Sequence, residues 1–404
     1  MRSFVKKKLK NKSAYQIAFR LYINFHEAKK ALLGKKKKYN LITFKSFCDQ
    51  IKLKYIVLEK EIYRESYIPK YYNDDSETFI KKELLPEIYY CEINNASVIG
   101  GNNFVITENY CLYDIPFQRN SKNYNFNYGS VLQIDKKKLS IEISYIYDRT
   151  TIEKGITIVG HAANNYYHFT IDLLARLYYI DQVEEYKDYP LLIDERACEY
   201  YSSLINAANK NKREIIPIKR DVMYNVVNLV YPSMVSWNPI YRVSSNYENS
   251  GNYYADKPYS MYKEIKNKIS SAREFQERKV FISRKDVSRN YLKNESDVAR
   301  IFSEHGFEII SPGELDYENQ IKLFSEVSVL AGAEGAAFTN LIYMPKNSKV
   351  ICIVPKEKNK YMVSSLAYIN GLESEYLNAD LINENDYIID LDYLKGFLKE
   401  LDEI

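Results

Sequence analysis

Residues 327–345 read VSVLAGAEGAAFTNLIYMP, and this stretch decides the fold. A short β-rich run ends in Ala331, and then only Gly, Ala and Glu follow through Ala337. A second apolar run leads on to Pro345. A strand that turns through small residues into a helix is the corner of an α/β unit. Working outward, KVFISR (279–284), FEIIS (307–311) and KVICIVP (349–355) read as further strands. Helical spacing predicts helices over 259–275, 295–305, 317–325 and about 338–343 between and before them. Strands that alternate with helices predict a mainly parallel sheet. Such sheets take ligands beyond the carboxyl ends of their strands, where the quoted corner lies.

The same alternation begins earlier. GITIVG (155–160), YPLLID (189–194) and NVVNLVYPSMV (225–235) read as strands. NYYHFTIDLLARLYYIDQV (165–183) and RACEYYSSLINAAN (196–209) read as helices. Between residues 86 and 150, short β-rich runs are broken by Asn-Asn and Gly-Gly-Asn-Asn turns, which is a hairpin pattern. Residues 41–85 give mixed helical signals and a polar loop, YYNDDSETF. The turn-rich NYENSGNYYADKP (246–258) reads as a link between two domains. The expectation is an α/β chain with two Rossmann-like halves. It divides into a basic extension (1–40), a first lobe (41–255) and a second lobe (256–404).

A chain of 404 residues is long enough for two cores. No apolar run reaches the roughly 18–20 residues a membrane span needs. The N-terminus does not carry the pattern of a secretory signal. Five scattered cysteines, none in a Cys-x-x-Cys pair, suggest neither a zinc site nor a disulfide framework and fit a reducing cytoplasm. The net charge of +4 hides an asymmetry: residues 1–40 carry +12, which leaves −8 on the remainder. Ile17, Leu21 and Phe25 recur at helical spacing among these lysines, so the segment reads as a basic amphipathic helix. It suits the anionic inner face of a cytoplasmic membrane, and equally a stripe packed on its own domain. Nucleic acid is a poorer partner, because the rest of the chain is acidic and lacks a nucleic-acid motif.

Three stretches carry chemistry. In the quoted corner, Gly332, Gly335, Ala336 and Ala337 clear space, and a helix starting near Thr339 would offer free N–H groups to a diphosphate. The plainer reading is a tight corner with nothing bound. In FISRKDVSRNYLKNESDV (281–298), Arg284 and Arg289 follow a strand directly, and guanidinium forks match phosphate oxygens. The plainer reading is surface charge with a helix cap. In GHAANNYYHFTIDLLARL (160–177), His161 and His168 are two of only four histidines. His168 and Asp172 share a helix face, and Arg176 continues it. A carboxylate beside an imidazole fixes its tautomer and raises its basicity, which suits a general base. A buried pair that holds the helix is the alternative. IIDLDYL (388–394) has an acidic doublet, but Asp390 or Asp392 reads better as a helix cap than as a metal ligand. No metal site and no cofactor is read from the sequence.

Together and in this order, these stretches resemble glycosyltransferase family 61. The matching residues are Asn165, His168 and Phe169, then Arg284 and Arg289, then Asn294 and Glu295. Pro312, Leu315 and Gln320 follow, and then Gly332, Gly335, Ala336, Thr339, Asn340, Met344 and Pro345. The hairpins at 91–115 look like the family's lead-in, so the likeness covers roughly 86–360. Three positions depart from the pattern. Glu334 stands where the family has a loop histidine, Ala337 replaces a second loop glycine, and Cys352 lies near where an acid is common.

The resemblance implies a GT-B type fold, with two Rossmann-like lobes around a cleft. It also implies an inverting, metal-independent transfer from a nucleotide-sugar, most commonly a UDP-sugar. The acceptor it implies is a capsular or other surface polysaccharide, or a lipid-linked glycan. Its site residues would be His168, Asp172 and Glu334 as catalytic groups, with His161 and Asn165 on the acceptor side. The donor would meet Arg284, Arg289, Asn294, Gln320, Gly332, Gly335, Ala336, Thr339 and Asn340. A non-catalytic nucleotide-sugar or glycan-binding protein on the same scaffold is the rival, favoured by Glu334 in a phosphate loop. A pyrophosphorylase-like enzyme is a second rival and would need a metal site.

Overall fold

The computed structural model describes residues 34–74, 79–113, 129–135, 137–237, 251–270, 277–285, 291–358 and 360–403. The amphipathic stripe Ile17–Phe25, Arg289, residues 246–250 of the expected link and the end of the 259–275 helix lie outside them. The fold is mixed α/β, as expected, and is built on two principal sheets.

The C-terminal sheet has five strands, Arg278–Ile282, Glu308–Ile310, Val327–Ala333, Lys349–Ile353 and Glu373–Leu377. All neighbours are parallel, and the spatial order by position in the chain is 2-1-3-4-5. The four strands read from the sequence agree closely with those observed, and three of them carry buried apolar runs, whereas the fifth, Glu373–Leu377, is polar at its start and was not read. Helices Glu295–Glu304, Tyr317–Phe324 and Met362–Asn370 and a 3-10 helix, Ala336–Tyr343, make the crossovers. In a doubly wound sheet of this order, the ligand crevice opens where strand order reverses. Here that point lies between Arg278–Ile282 and Val327–Ala333, whose ends pair at Ile282 and Gly332.

The N-terminal sheet has ten strands. Its axis is an 18-residue strand, Ser140–Thr157, where the sequence suggested two separate elements. The polar run Asp148–Thr151 breaks the apolar pattern but stays extended. It is exposed, and Thr151 still pairs with Asn225 across a register shift. The strand's carboxyl half is parallel to Val222–Pro232 and Leu191–Asp194, and Leu191–Asp194 is parallel to Ile215–Ile218. Its amino half pairs antiparallel with Lys35–Ile42 and Val131–Asp135. Lys35–Ile42 also joins Tyr110–Leu112, so the pairing closes into a circuit around a separate apolar cluster that includes Tyr39, Phe104 and Ile141.

Lys35–Lys38 therefore form part of a strand rather than the flank of a helix. Tyr39 and Leu41 anchor the strand in the core, while the lysines stay exposed. Lys35 Nζ lies 5.2 Å from the Tyr147 ring centre and Lys37 Nζ 4.9 Å from that of Tyr39. Long stems laid over rings explain how two of the four lysines, Lys35 and Lys37, are accommodated in a sheet.

Residues 41–85 also hold strands that helical signals obscured: Tyr55–Glu59, Ile62–Ile68 and Phe79–Leu85. Their side chains alternate poorly because much of this region faces solvent, with Ile62 and Tyr63 exposed. The hairpin Ile62–Leu85 packs against the helix Met362–Asn370, where Ser364 Oγ donates to the Tyr67 carbonyl at 2.6 Å. Tyr71 then bridges to Tyr376 at the edge of the C-terminal sheet. A single buried cluster runs through both halves, from Ile156, Phe169 and Leu191 to Val280, Leu330 and Val350. Tyr262, on the helix Tyr259–Ile269, belongs to this cluster, and its hydroxyl donates to the Thr170 carbonyl.

Candidate active site

The crevice of the C-terminal sheet is organised by Arg284. Its backbone N–H donates to Glu295 Oε1 at 2.6 Å, and the same oxygen accepts from Ser283 Oγ at 2.9 Å. Glu295 is buried, so it clamps the turn that follows the strand. Arg284 Nη1 then donates across the crevice to the Glu334 carbonyl at 2.7 Å. A Cβ placed on Gly335 would lie 1.7 Å from that Nη1. Glycine here makes room for the guanidinium in its observed position; its torsion angle, which is extended, does not call for glycine. Gly332 answers to a different neighbour, since a Cβ there would meet Ile282 Cβ and its carbonyl oxygen at 3.1 Å. The small residues of the corner thus make room for one arginine and one adjacent strand.

The helix after the corner begins at Ala336 and not near Thr339. Thr339 lies inside it, fully buried, and its Oγ1 has no hydrogen-bond partner among the described residues. It is not the cap expected from the sequence. Gly335 and Ala336 stand at the helix start in its place.

A cleft of about 700 Å³ lies between the two halves. Arg284, Gln320, Ala336, Ala337 and Asn340 line it from the C-terminal side. Asn164, Tyr166, Arg196 and Tyr201 line it from the other. Tyr166 donates its hydroxyl to Asn340 Oδ1 at 2.8 Å, and Asn340 Nδ2 donates to Gln320 Oε1 at 3.1 Å. Asn340 and Gln320 are thereby held as a wall that ties the two sides together. Asn294 does not reach this cleft. Its side chain holds the backbone of Ile389, donating at 2.8 Å and accepting at 3.3 Å. Asp390 caps the last helix through the N–H groups of Asp392 and Tyr393, as the sequence suggested.

The His168 helix is irregular. It opens with a π-helical turn, His168–Leu173, passes through a 3-10 turn and ends as an α-helix, Leu177–Ile180. Asn165 Oδ1 accepts from the N–H groups of Tyr167 and His168, so this residue starts the helix. The π turn is wider than an α turn, a feature frequent at functional sites. His168 Nδ1 donates to Asp172 Oδ2 at 2.7 Å, and Ser236 Oγ donates to Asp172 Oδ1. Asp172 is buried, whereas the His168 side chain keeps 15% of its surface exposed. With Nδ1 committed to the carboxylate, Nε2 is the nitrogen left to take a proton. Arg176 does not extend this pair: its Nε donates to the Asp172 carbonyl at 2.9 Å, and the side chain is buried.

Tyr254 connects the candidates. Its hydroxyl lies 2.6 Å from that of Tyr167. Burial keeps it protonated far above the usual tyrosine range, and the negative fields of Asp172 and Glu334 add to this. Both carboxylates therefore lie within electrostatic reach of one hydroxyl, although the sequence separates them widely. Neither of them lines the 700 Å³ cleft, and nor does His168. Their neighbours Asn164, Tyr166 and Ala336 do. His161 lies close to this group. Its imidazole is pushed down to about 4 by burial first and then by the positive fields of His168 and Arg220.

Ser236, Tyr254 and Arg196 were not anticipated. Ser236 and Tyr254 sit on two short paired strands, Ser236–Trp237 before the stretch read as a link and Tyr253–Tyr254 within it. One tyrosine among 40 gives no signal of its own. Tyr166 had a signal, being inside the quoted Asn-Asn-Tyr-Tyr-His run.

Strand ends, an arginine and a helix start around an open cleft are an α/β arrangement that suits an anionic ligand. The family model described as Glycosyltransferase 61 matches residues 166–351. The match runs from Tyr166, through Arg284, to the strand Lys349–Ile353, and so takes in both sides of the cleft. The resemblance read from the sequence is borne out over that segment, which is similar to glycosyltransferase family 61. The hairpin lead-in at 91–115 lies outside the matched residues. No curated protein matches the chain.

Proposed function

We propose that the protein is an inverting glycosyltransferase that moves a sugar from a nucleotide-sugar, a UDP-sugar above all, to a surface polysaccharide or lipid-linked glycan. The observation that carries this reading is Arg284, fixed between Glu295 and the Glu334 carbonyl beside a 700 Å³ cleft. The diphosphate leaving group develops charge as the glycosidic bond breaks. Arg284 and the N–H groups at the start of Ala336–Tyr343 supply the stabilisation. A switch-point crevice in the second sheet, facing the first half across a cleft, supports a GT-B type arrangement with the donor on the C-terminal side.

The acceptor hydroxyl loses its proton to His168 Nε2 as its oxygen attacks the anomeric carbon. Asp172, held by Ser236, stabilises the imidazolium that results. Glu334 is the alternative base, on the other side of Tyr254. The reaction in this reading needs no metal. The lysines of residues 1–33, with exposed Lys35–Lys38, would hold the enzyme on the anionic inner face of a cytoplasmic membrane, where lipid-linked acceptors lie.

The test is calorimetric titration of UDP in EDTA. Binding supports the reading, and binding that returns only with manganese rejects its metal-free form. Slow hydrolysis of a UDP-sugar by the pure protein separates an enzyme from a binding protein on the same scaffold.

A further inference from the structure

A second cavity, of about 260 Å³, lies at the carboxyl ends of the parallel strands of the N-terminal sheet. Gly160, Asn164, Asp194, Arg196, Lys219 and Arg220 are among its lining residues. Asn164 and Arg196 also line the 700 Å³ cleft, so the two cavities share a wall. Three cations therefore face the smaller cavity, and one of them borders both.

Two acids face it as well, and the buried one is already engaged. Asp194 accepts from the backbone N–H of Gly101 at 2.6 Å and of Gly160 at 2.8 Å. It locks the glycine turns that form the cavity floor. Glu195, the first residue of the next helix, is the other. Arg220 has a loose partner, Asp221, at 3.6 Å, and 43% of its side chain remains exposed. That exposure leaves its guanidinium accessible to a ligand. His161 feels the charges of both Arg220 and His168, so one of the cavity's cations and the candidate base act on the same imidazole.

We infer that the smaller cavity anchors the acceptor by an anionic group, a phosphate or a carboxylate, held by Arg196, Lys219 and Arg220. The inference rests on the transferase reading above and deepens it. A glycan anchored there reaches the cleft past Asn164 and Arg196 and presents its hydroxyl towards His168. A neutral acceptor would make no use of the exposed Arg220 guanidinium at the cavity wall. An anionic one gains charge-assisted hydrogen bonds.

The test uses four small probes and three proteins. Glucose 1-phosphate, methyl glucuronide, neutral methyl glucoside and UDP are titrated into the wild type, Arg220→Gln and Arg284→Ala, with melting temperatures recorded for each. At least one anionic sugar is expected to bind the wild type and Arg284→Ala alike, and to bind Arg220→Gln at least tenfold more weakly. Which of the two binds distinguishes phosphate from carboxylate. UDP binding is expected to survive Arg220→Gln and to fall in Arg284→Ala. The inference is overturned if neither anionic sugar binds better than methyl glucoside, or if their binding falls with Arg284→Ala and not with Arg220→Gln. Failure of UDP to bind the wild type would sink the transferase reading separately, since the anionic-sugar comparison does not depend on it.

Discussion

Arg284 and Gly335 form a coupled pair, each shaped by the other. Arg284→Ala should weaken UDP binding by about 1.5–3 kcal/mol, the scale of a hydrogen bond to a charged group. Gly335→Ala should act through the same arginine, because the new methyl group occupies the space of Nη1. Titration of UDP into both variants checks the pair, and an unchanged affinity in Gly335→Ala would show that the guanidinium can move without loss. Asp172→Asn should lower turnover by about 10²–10⁴-fold while keeping donor affinity, the usual worth of general base catalysis. If it lowers the melting temperature and spares turnover, the pair is structural and Glu334→Gln becomes the variant to assay. His161 makes a pH prediction. Its folded-state imidazole is pushed down to about 4, below the ordinary value of 6.5. As pH falls from about 6.5 to about 4, the unfolded chain takes up a proton that the folded one does not, so stability is lost across that window. His161→Asn should lose less stability than the wild type over the same range in urea titrations. At this scale the sequence was legible where chemistry is rare. Two histidines in one short stretch and an arginine after a strand stood out. Asn294 and Thr339 did not behave as the motif implied, because their partners, a distant backbone and the helix interior, leave no mark in local sequence.

At the scale of elements, four of the five C-terminal strands could be read closely, since buried parallel strands tend to be continuous apolar runs, while Glu373–Leu377, with its polar start, was missed. The N-terminal half resisted for the opposite reason. Ser140–Thr157 serves an antiparallel circuit at one end and a parallel sheet at the other, and its polar centre looked like a break. The 196–209 helix was read as one, but it divides at Tyr201, whose torsion angles leave the helical region. The bend places Arg196, Tyr200 and Tyr201 on the cleft wall. The link from Tyr166 through Asn340 to Gln320 joins elements from both halves. Asn340→Ala should lower stability by about 1–2 kcal/mol, because it removes two hydrogen bonds to half-buried partners, each worth about 0.5–1.5 kcal/mol. A chemical-denaturation midpoint measures this, and an unchanged midpoint would mean that the wall is held by apolar packing alone.

For the whole molecule, the shared buried cluster means that the two halves are not beads on a string. The basic segment is a different matter, since its charge can be tested apart from the fold. Removing residues 1–33 should leave a folded protein that binds anionic vesicles less well than the full chain, with each lysine near the surface worth roughly 1 kcal/mol. Cosedimentation with phosphatidylserine vesicles checks it, and equal pelleting of both forms would reject membrane docking by this segment. Truncation at 33 is chosen because Lys35–Ile42 closes the strand circuit and cannot be cut away without opening it.

The contact of Tyr67 and Tyr71 with Ser364 and Tyr376 also has a consequence for synthesis. The hairpin Ile62–Leu85 leaves the ribosome roughly 300 residues before the strand and helix it docks on. At the usual elongation rate, that is a wait on the order of 15–60 s. During that interval Tyr71, buried in the finished protein against Tyr376, and Tyr67, stacked on Tyr368, lack those partners. A nascent chain stalled before residue 360 should therefore engage hydrophobic-binding chaperones or aggregate, and one released at full length should not.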